Sequence, residues 1–238
     1  MPDRAPFAIE PPATPSVAVE GEAARFPVRR ILCVGRNYAA HAREMGRDPD
    51  REPPFFFTKP ADAVVDAGER DDARLPYPPL TENLHHEIEL VVAIGAGGTN
   101  IAAANAMGHV WGFAAGVDLT RRDLQLEARE MGRPWDWGKA FDRSAPMGAL
   151  RRAEGFEPTR GRIWLAVDGE TRQEACLSEL IWPVADVIAI ASRAIELRPG
   201  DLIMTGTPAG VGPIAPGQRV RGGVEGLPEV AFTVEPRG

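Results

Sequence analysis

Short apolar runs broken by Gly, Pro and Asp set the rhythm of this sequence. Runs of about four to eight aliphatic or aromatic residues between such breaks read as strands. On that pattern "RRILCVG" (29–35), "PPFFFTKP" (53–60), the segment at about 84–95 and "HVWGFAAGVDL" (109–119) are strands. "GRIWLAVDGETRQEACLS" reads as a hairpin about an Asp-Gly turn, and "QRVRGGVEGLPEVAFTVE" as a second hairpin. "NYAAHAREMG" (37–46) is a short helix ended by Gly46, and another short helix starts near Asn100. Thr120 opens "TRRDLQLEAREMG", where Thr120 with Asp123 resembles a capping box and Gly132 supplies the stop. Pro183 stands at the first helical position of "PVADVIAIASRAIEL". Strands outnumber helices and the two are interspersed, so the expected class is α+β. Residues 1–27, rich in Pro, Ala and acids, are expected as an extended arm, and residues 28–238 as a single domain.

The stretch "LHHEIELVVAIG" (84–95) breaks the rule that buried strands are apolar. Alternation puts Glu87 and Glu89 on one face, with Ile88 and Leu90 on the other. Two like charges that close repel and raise each other's pKa. Either the pair lies on a solvated edge, or a cation sits between the carboxylates. Asp118, which closes the next apolar strand, and the cationic and polar Arg121, Arg122 and Gln125 behind it favour the cation.

Arg122 and Gln125 share a helix face near an N-terminus, a setting that suits a carboxylate. The plainer reading of Arg122 is a surface salt bridge. His41 and Glu44 stand three apart on one helix face. Their plainer reading is a surface pair, and their functional one is a base oriented by a carboxylate. His85 and His86 point to opposite faces, so at most one approaches the acids. Lys139 in "WDWGKAFD" sits among aromatic residues that could desolvate it.

Composition narrows the choice. The net charge of −7 over 238 residues argues against non-specific binding to nucleic acid or an anionic membrane. Cys33 and Cys176 form no C-x-x-C pair, which fits a reducing compartment better than a disulfide framework. No apolar run reaches the roughly 18 residues of a membrane span, and the first residues lack a signal-peptide pattern, so a soluble cytoplasmic protein is expected. "AIGAGGTN" has Asn100 where a dinucleotide loop needs its third glycine, and "GTPAGVG" lacks the Lys of a phosphate loop.

"CVGRNYAAHAREMG", "PPFFFTKP", "LHHEIELVVAIG", "GFAAGVDLTRRDLQ", "RPWDWGKAFDRSAPMG" and "RPGDLIMTGTPAGVGP" together resemble, in order, the blocks of the fumarylacetoacetate hydrolase family. The resemblance covers roughly residues 30 to 225. It implies a mixed β-roll core with short peripheral helices, a homodimer, and Mg2+ or Mn2+ held by Glu87, Glu89 and Asp118. It further implies a His41–Glu44 dyad on a lid helix, an active-site Lys139, and substrate contacts from Arg122, Gln125 and Thr207. The implied reaction is hydrolysis of a carbon–carbon bond in a 2,4-dioxo acid, an acylpyruvate such as fumarylpyruvate from gentisate breakdown. Oxaloacetate decarboxylation and 2-oxo-dienedioate isomerisation need much the same groups. A non-enzymatic protein holding a structural cation is the rival from another class.

Overall fold

The computed structural model describes residues 7–44, 53–68 and 73–237, leaving aside the side chains of residues 42–44. In chain order come β1 (Ser16–Ala18), β2 (Arg25–Pro27), β3 (Arg30–Gly35), α1 (Ala39–Glu44), β4 (Phe55–Lys59), β5 (Val64–Asp66) and β6 (Ala73–Pro76). β7 (Leu84–His86) and β8 (Ile88–Ile94) follow, and a 3-10 segment (Ala103–His109) leads to β9 (Val110–Val117). Next are β10 (Thr120–Arg121), α2 (Arg122–Glu130), α3 (Asp136–Lys139), β11 (Ala145–Met147) and β12 (Arg151–Arg152). The chain continues with β13 (Arg162–Val167), β14 (Glu170–Cys176), α4 (Val184–Ala194) and β15 (Asp201–Met204). It closes with β16 (Gly212–Pro213), β17 (Arg219–Val224) and β18 (Val230–Glu235).

β8 shows why the main sheet forms, since every one of its residues is buried. Ile88, Leu90, Val92 and Ile94 enter the larger core, together with Ile163, Leu165, Val220 and Phe232. Val91 and Ala93 point the other way, into a second core with Val17, Phe26, Leu202 and Met204. A strand covered on both faces must be apolar on both, so the usual apolar–polar alternation disappears from its sequence. Glu89 shares the second face with Val91 and Ala93, at the strand's first turn toward the sheet end.

The main sheet runs β4-β3-β15-β8-β9-β11-β5, with β12 also paired to β9. It is mixed: β3 with β15 and β5 with β11 are parallel, whereas β8 with β9 is antiparallel. A second sheet, β14-β13-β17-β18-β6, packs over the larger core. The expected α+β class with a mixed sheet is the one adopted. Within the segment expected as an arm, β1 and β2 pair, and Val17, Val19 and Phe26 cover the second core.

Three local expectations change. The segment at about 84–95 is two strands: β7 pairs with β10 and β16 in a small sheet, β8 joins the main sheet, and Glu87 is the residue between them. The capping box does not form. The Thr120 hydroxyl donates to Asp118 O (3.2 Å). Asp123 instead accepts from the Thr81 hydroxyl (2.6 Å) and the Glu82 N–H (3.0 Å), anchoring the loop before β7. The helix expected near Asn100 is the 3-10 segment, because Asn100 itself adopts φ 50 and stands outside it. The Asp-Gly hairpin is as expected, with Asp168 (φ 51) and Gly169 (φ 83) at its turn.

Asn37 ties the sheet end together. Its buried amide donates to Thr205 O (2.8 Å) and Trp182 O (2.9 Å), and its carbonyl accepts from the Trp182 N–H (2.7 Å). Asn37→Ala leaves these backbone groups without partners, so urea denaturation is expected to show a loss of about 2–4 kcal/mol. A change under about 0.5 kcal/mol, the size expected of an ordinary surface site, would contradict this role.

Candidate active site

The site lies at the end of the main sheet where β8 begins and β9 and β15 finish. β8 and β9 pair Ile88 with Val117, and the Asp118 N–H donates to Glu87 O (2.8 Å), so Asp118 is delivered beside both glutamates. One oxygen from each of Glu87, Glu89 and Asp118 lies within 4.8 Å of the others, and all three residues are buried. Oxygens bound about 2.1 Å from one octahedral ion stand roughly 3–4.2 Å apart, so small side-chain shifts suffice to close on a hard divalent cation.

The remaining hydrogen bonds leave lone pairs for such an ion. Glu89 Oε2 accepts from the Gly206 N–H (2.6 Å). Gly206 has φ +100, and a Cβ there would sit 2.7 Å from Asn37 Cβ, so this approach of backbone to carboxylate requires glycine. Asp118 Oδ1 is buried and faces the Lys59 ammonium in an ion pair (2.8 Å), with no other donor on it among the described residues. The donor set therefore fits a divalent metal.

Three cations surround the acids. Lys139 donates to Glu87 Oε2 (2.8 Å), Asp118 Oδ2 (2.6 Å) and the Thr120 hydroxyl (2.7 Å). It can do so because Gly138 packs directly on Gln125: a Cβ at Gly138 would lie 2.8 Å from Gln125 Cβ. The aromatic neighbour of its ammonium is Phe57 of β4, 5.0 Å away, while Trp137, its neighbour in sequence, is 73% exposed. Arg122 pairs with Glu87 and donates to Gln125 Oε1 (2.6 Å). Lys59, which the sequence reading passed over, is buried and donates to Leu119 O (3.1 Å) and Lys139 O. Its only signal is a charge ending the apolar run "FFFT".

This arrangement splits the two glutamates. Burial raises the Glu87 carboxyl, but Lys139 and Arg122, the largest opposing causes, hold it below the usual carboxylate range. Burial, with Asp118 and Glu87 adding repulsion, pushes Glu89 well up against the Gly206 hydrogen bond. Burial lowers Lys139, yet Asp118 and Glu87 prevail and raise it, so it stays protonated.

Two histidines buttress the site from opposite sides of β7. Burial first, then the Arg122 charge, hold His85 down to about 4, so the ring is neutral at pH 7. Its Nδ1 accepts from Arg122 Nε (3.3 Å) and its Nε2–H donates to Asn83 Oδ1 (2.9 Å). His86, lowered by burial, donates from Nδ1 to Gln173 Oε1 (2.9 Å). Gln173 in turn donates to Thr207 Oγ1 (2.8 Å) and Pro208 O (2.9 Å). Thr207 thus accepts through its oxygen and keeps its own proton to donate into the cavity. Sequence reasoning placed the two histidines on opposite faces and missed Gln173.

Of the candidates read from the sequence, Glu87, Glu89, Asp118, His41, Arg122, Gln125, Lys139 and Thr207 line one cavity. The Glu44 side chain, and with it the His41–Glu44 pairing, lies outside the described residues. Residues 30–235 match the family model described as fumarylacetoacetate (FAA) hydrolase C-terminal. The chain belongs to the fumarylacetoacetate hydrolase family. It is 44% identical over 194 residues to a fumarylpyruvate hydrolase of Ralstonia sp., covering 81% of this chain and 99% of that one. It is 40% identical over 209 residues to a mitochondrial oxaloacetate tautomerase of Arabidopsis thaliana, covering 87% of this chain and 92% of the relative. Among solved structures, the fumarylpyruvate hydrolase of Pseudomonas aeruginosa, in complex with Mn2+ and pyruvate, superimposes with a TM-score of 0.96. That match has 54% identity and covers 98% of this chain and 100% of the other. The expected family fold is therefore the observed one.

The neutral His85 makes stability depend on pH. Its folded value of about 4 lies below the ordinary 6.5, so between these values the unfolded chain binds more protons and stability falls as pH falls. With chelator present, the drop in urea stability from pH 7 to pH 5 should be shallower in His85→Gln by about 1 kcal/mol, discounted for partial exposure. An unchanged slope would contradict the assignment.

Proposed function

We propose that the chain hydrolyses the C3–C4 bond of a 2,4-dioxo acid, fumarylpyruvate before other acylpyruvates, to pyruvate and a carboxylic acid. The observation that carries this reading is the meeting of Glu87, Glu89 and Asp118 with Lys139, Arg122 and His41 around one cavity. Glu87, Glu89 and Asp118 would hold Mg2+, or Mn2+ as in the Pseudomonas relative, and the ion when bound supplies Lewis-acid polarisation of the 2-oxo group.

The chain's own groups divide the remaining work. Arg122 spends three N–H groups on Glu87, Gln125 and His85, which leaves two of its five for the substrate's C1 carboxylate. Gln125 and the Thr207 hydroxyl orient the same end. His41, aligned by Glu44, takes a proton from water at a ring nitrogen, and the hydroxide adds to the C4 carbonyl carbon. The C3–C4 electron pair then moves toward C3, giving the enolate of pyruvate. Lys139, kept protonated by Asp118 and Glu87, faces the developing negative oxygen. Return of the proton to C3 completes pyruvate, and C4 leaves as the carboxylic acid. In gentisate breakdown that acid is fumarate.

The resemblance also carries a homodimer, and the exposed Trp137 and Leu80 beside one groove supply an apolar surface for it. Two free cysteines suit the reducing cytoplasm. Proton shuttling without hydrolysis is the second reading, favoured by the oxaloacetate tautomerase relatives.

Incubation with Mg2+ and fumarylpyruvate, acetylpyruvate or oxaloacetate should release pyruvate from the first two. His41→Ala should lower that release by about 100-fold or more while a divalent metal still raises the melting temperature. Consumption of oxaloacetate alone would overturn the reading.

A further inference from the structure

We propose that Arg129 binds the far carboxylate of the substrate and so selects dicarboxylic acylpyruvates over monocarboxylic ones. The inference rests on the acylpyruvate reading above and names the substrate class within it. α2 carries Arg122, Gln125 and Arg129 at positions i, i+3 and i+7, which lie on one helix face. All three line the cavity that holds the carboxylates. Arg122 and Gln125 are buried, while Arg129, about one turn further along the helix than Gln125, is half-buried.

The spacing fits a molecule with an anion at each end. Seven residues at 1.5 Å rise separate Arg122 from Arg129 by roughly 10.5 Å along the helix. An extended seven-carbon diacid spans about 10 Å between its outermost oxygens, taking C–C bonds of about 1.5 Å. The cavity that both arginines line also has an aromatic wall: Phe55 and Phe57 of β4 pack on Trp135, with ring centroids 5.4 and 5.8 Å from it. Such a wall suits an unsaturated, uncharged linker.

The two guanidinium groups also differ in commitment. Arg122 is engaged by Glu87, Gln125 and His85. Among the described residues, the Arg129 guanidinium has no ion pair and no hydrogen bond, so its donors are available to a ligand carboxylate. A substrate whose acyl group ends in methyl gives it nothing to bind.

The test compares kcat/KM for fumarylpyruvate and acetylpyruvate in the parent, Arg129→Gln and Arg129→Lys. In Arg129→Gln the ratio of the two values should fall by about 10- to 100-fold, carried mainly by KM for fumarylpyruvate. Arg129→Lys, which keeps the charge but loses the paired donors, should fall between parent and Arg129→Gln. A ratio unchanged from the parent, whether both substrates slow together or neither does, would overturn the role of Arg129 alone. A parent that released pyruvate from neither acid would instead overturn the acylpyruvate reading, and this inference with it.

Discussion

Everything in this molecule is arranged around the cost of keeping three carboxylates together out of water. Desolvation and mutual repulsion both disfavour ionised Glu87, Glu89 and Asp118 at their observed separation. The fold answers with Lys139, Lys59 and Arg122, all buried, and with the backbone N–H of Gly206. Formal charge is thereby balanced, but the balance is local and uneven. Glu87 and Asp118 each take two of these cations, and Glu89 is left the most strained of the three. A divalent ion bound between the carboxylates would relieve that strain at the cost of small side-chain shifts.

The sheet explains how such a cluster can be both buried and open to a ligand. β8 is apolar on both faces along its length, so its only acid, Glu89, is confined to the strand's beginning, next to the ends of β9 and β15. Glu87 stands one step earlier, where the chain leaves the small sheet and enters the main one. The acids therefore occupy a seam between sheets, where helices α2 and α3 supply cations from outside the core. Loops and helices placed at the end of a rigid sheet are a common way to hold reactive groups.

Much of this was legible in the sequence, for reasons that differ by residue. The acidic pair stood out because a buried strand should not contain it, and Asp118 because it closed a second apolar run. Arg122 and Gln125 followed from helical spacing. Lys59 and Gln173 escaped because their partners are remote in sequence: Lys59 meets Asp118 across 59 positions of chain, and Gln173 reaches His86 from a different sheet. The break at Glu87 escaped because periodicity alone cannot distinguish one long strand from two that change partners. Thr120 fitted a capping pattern, but its hydroxyl donates to the Asp118 backbone carbonyl and accepts from Lys139 across the site instead.

Relatives named for different reactions, fumarylpyruvate hydrolase and oxaloacetate tautomerase, both match this chain. An enolate-stabilising centre serves hydrolysis and proton transfer alike, and a positioned water decides between them. All such chemistry presupposes that the three carboxylates act as one ligand set. Anomalous scattering from Mn2+ in crystals of the protein tests this most directly. One strong peak is expected, at about 2.0–2.3 Å from an oxygen of each of Glu87, Glu89 and Asp118. No peak there at saturating Mn2+, or a peak bound by other residues, would contradict it.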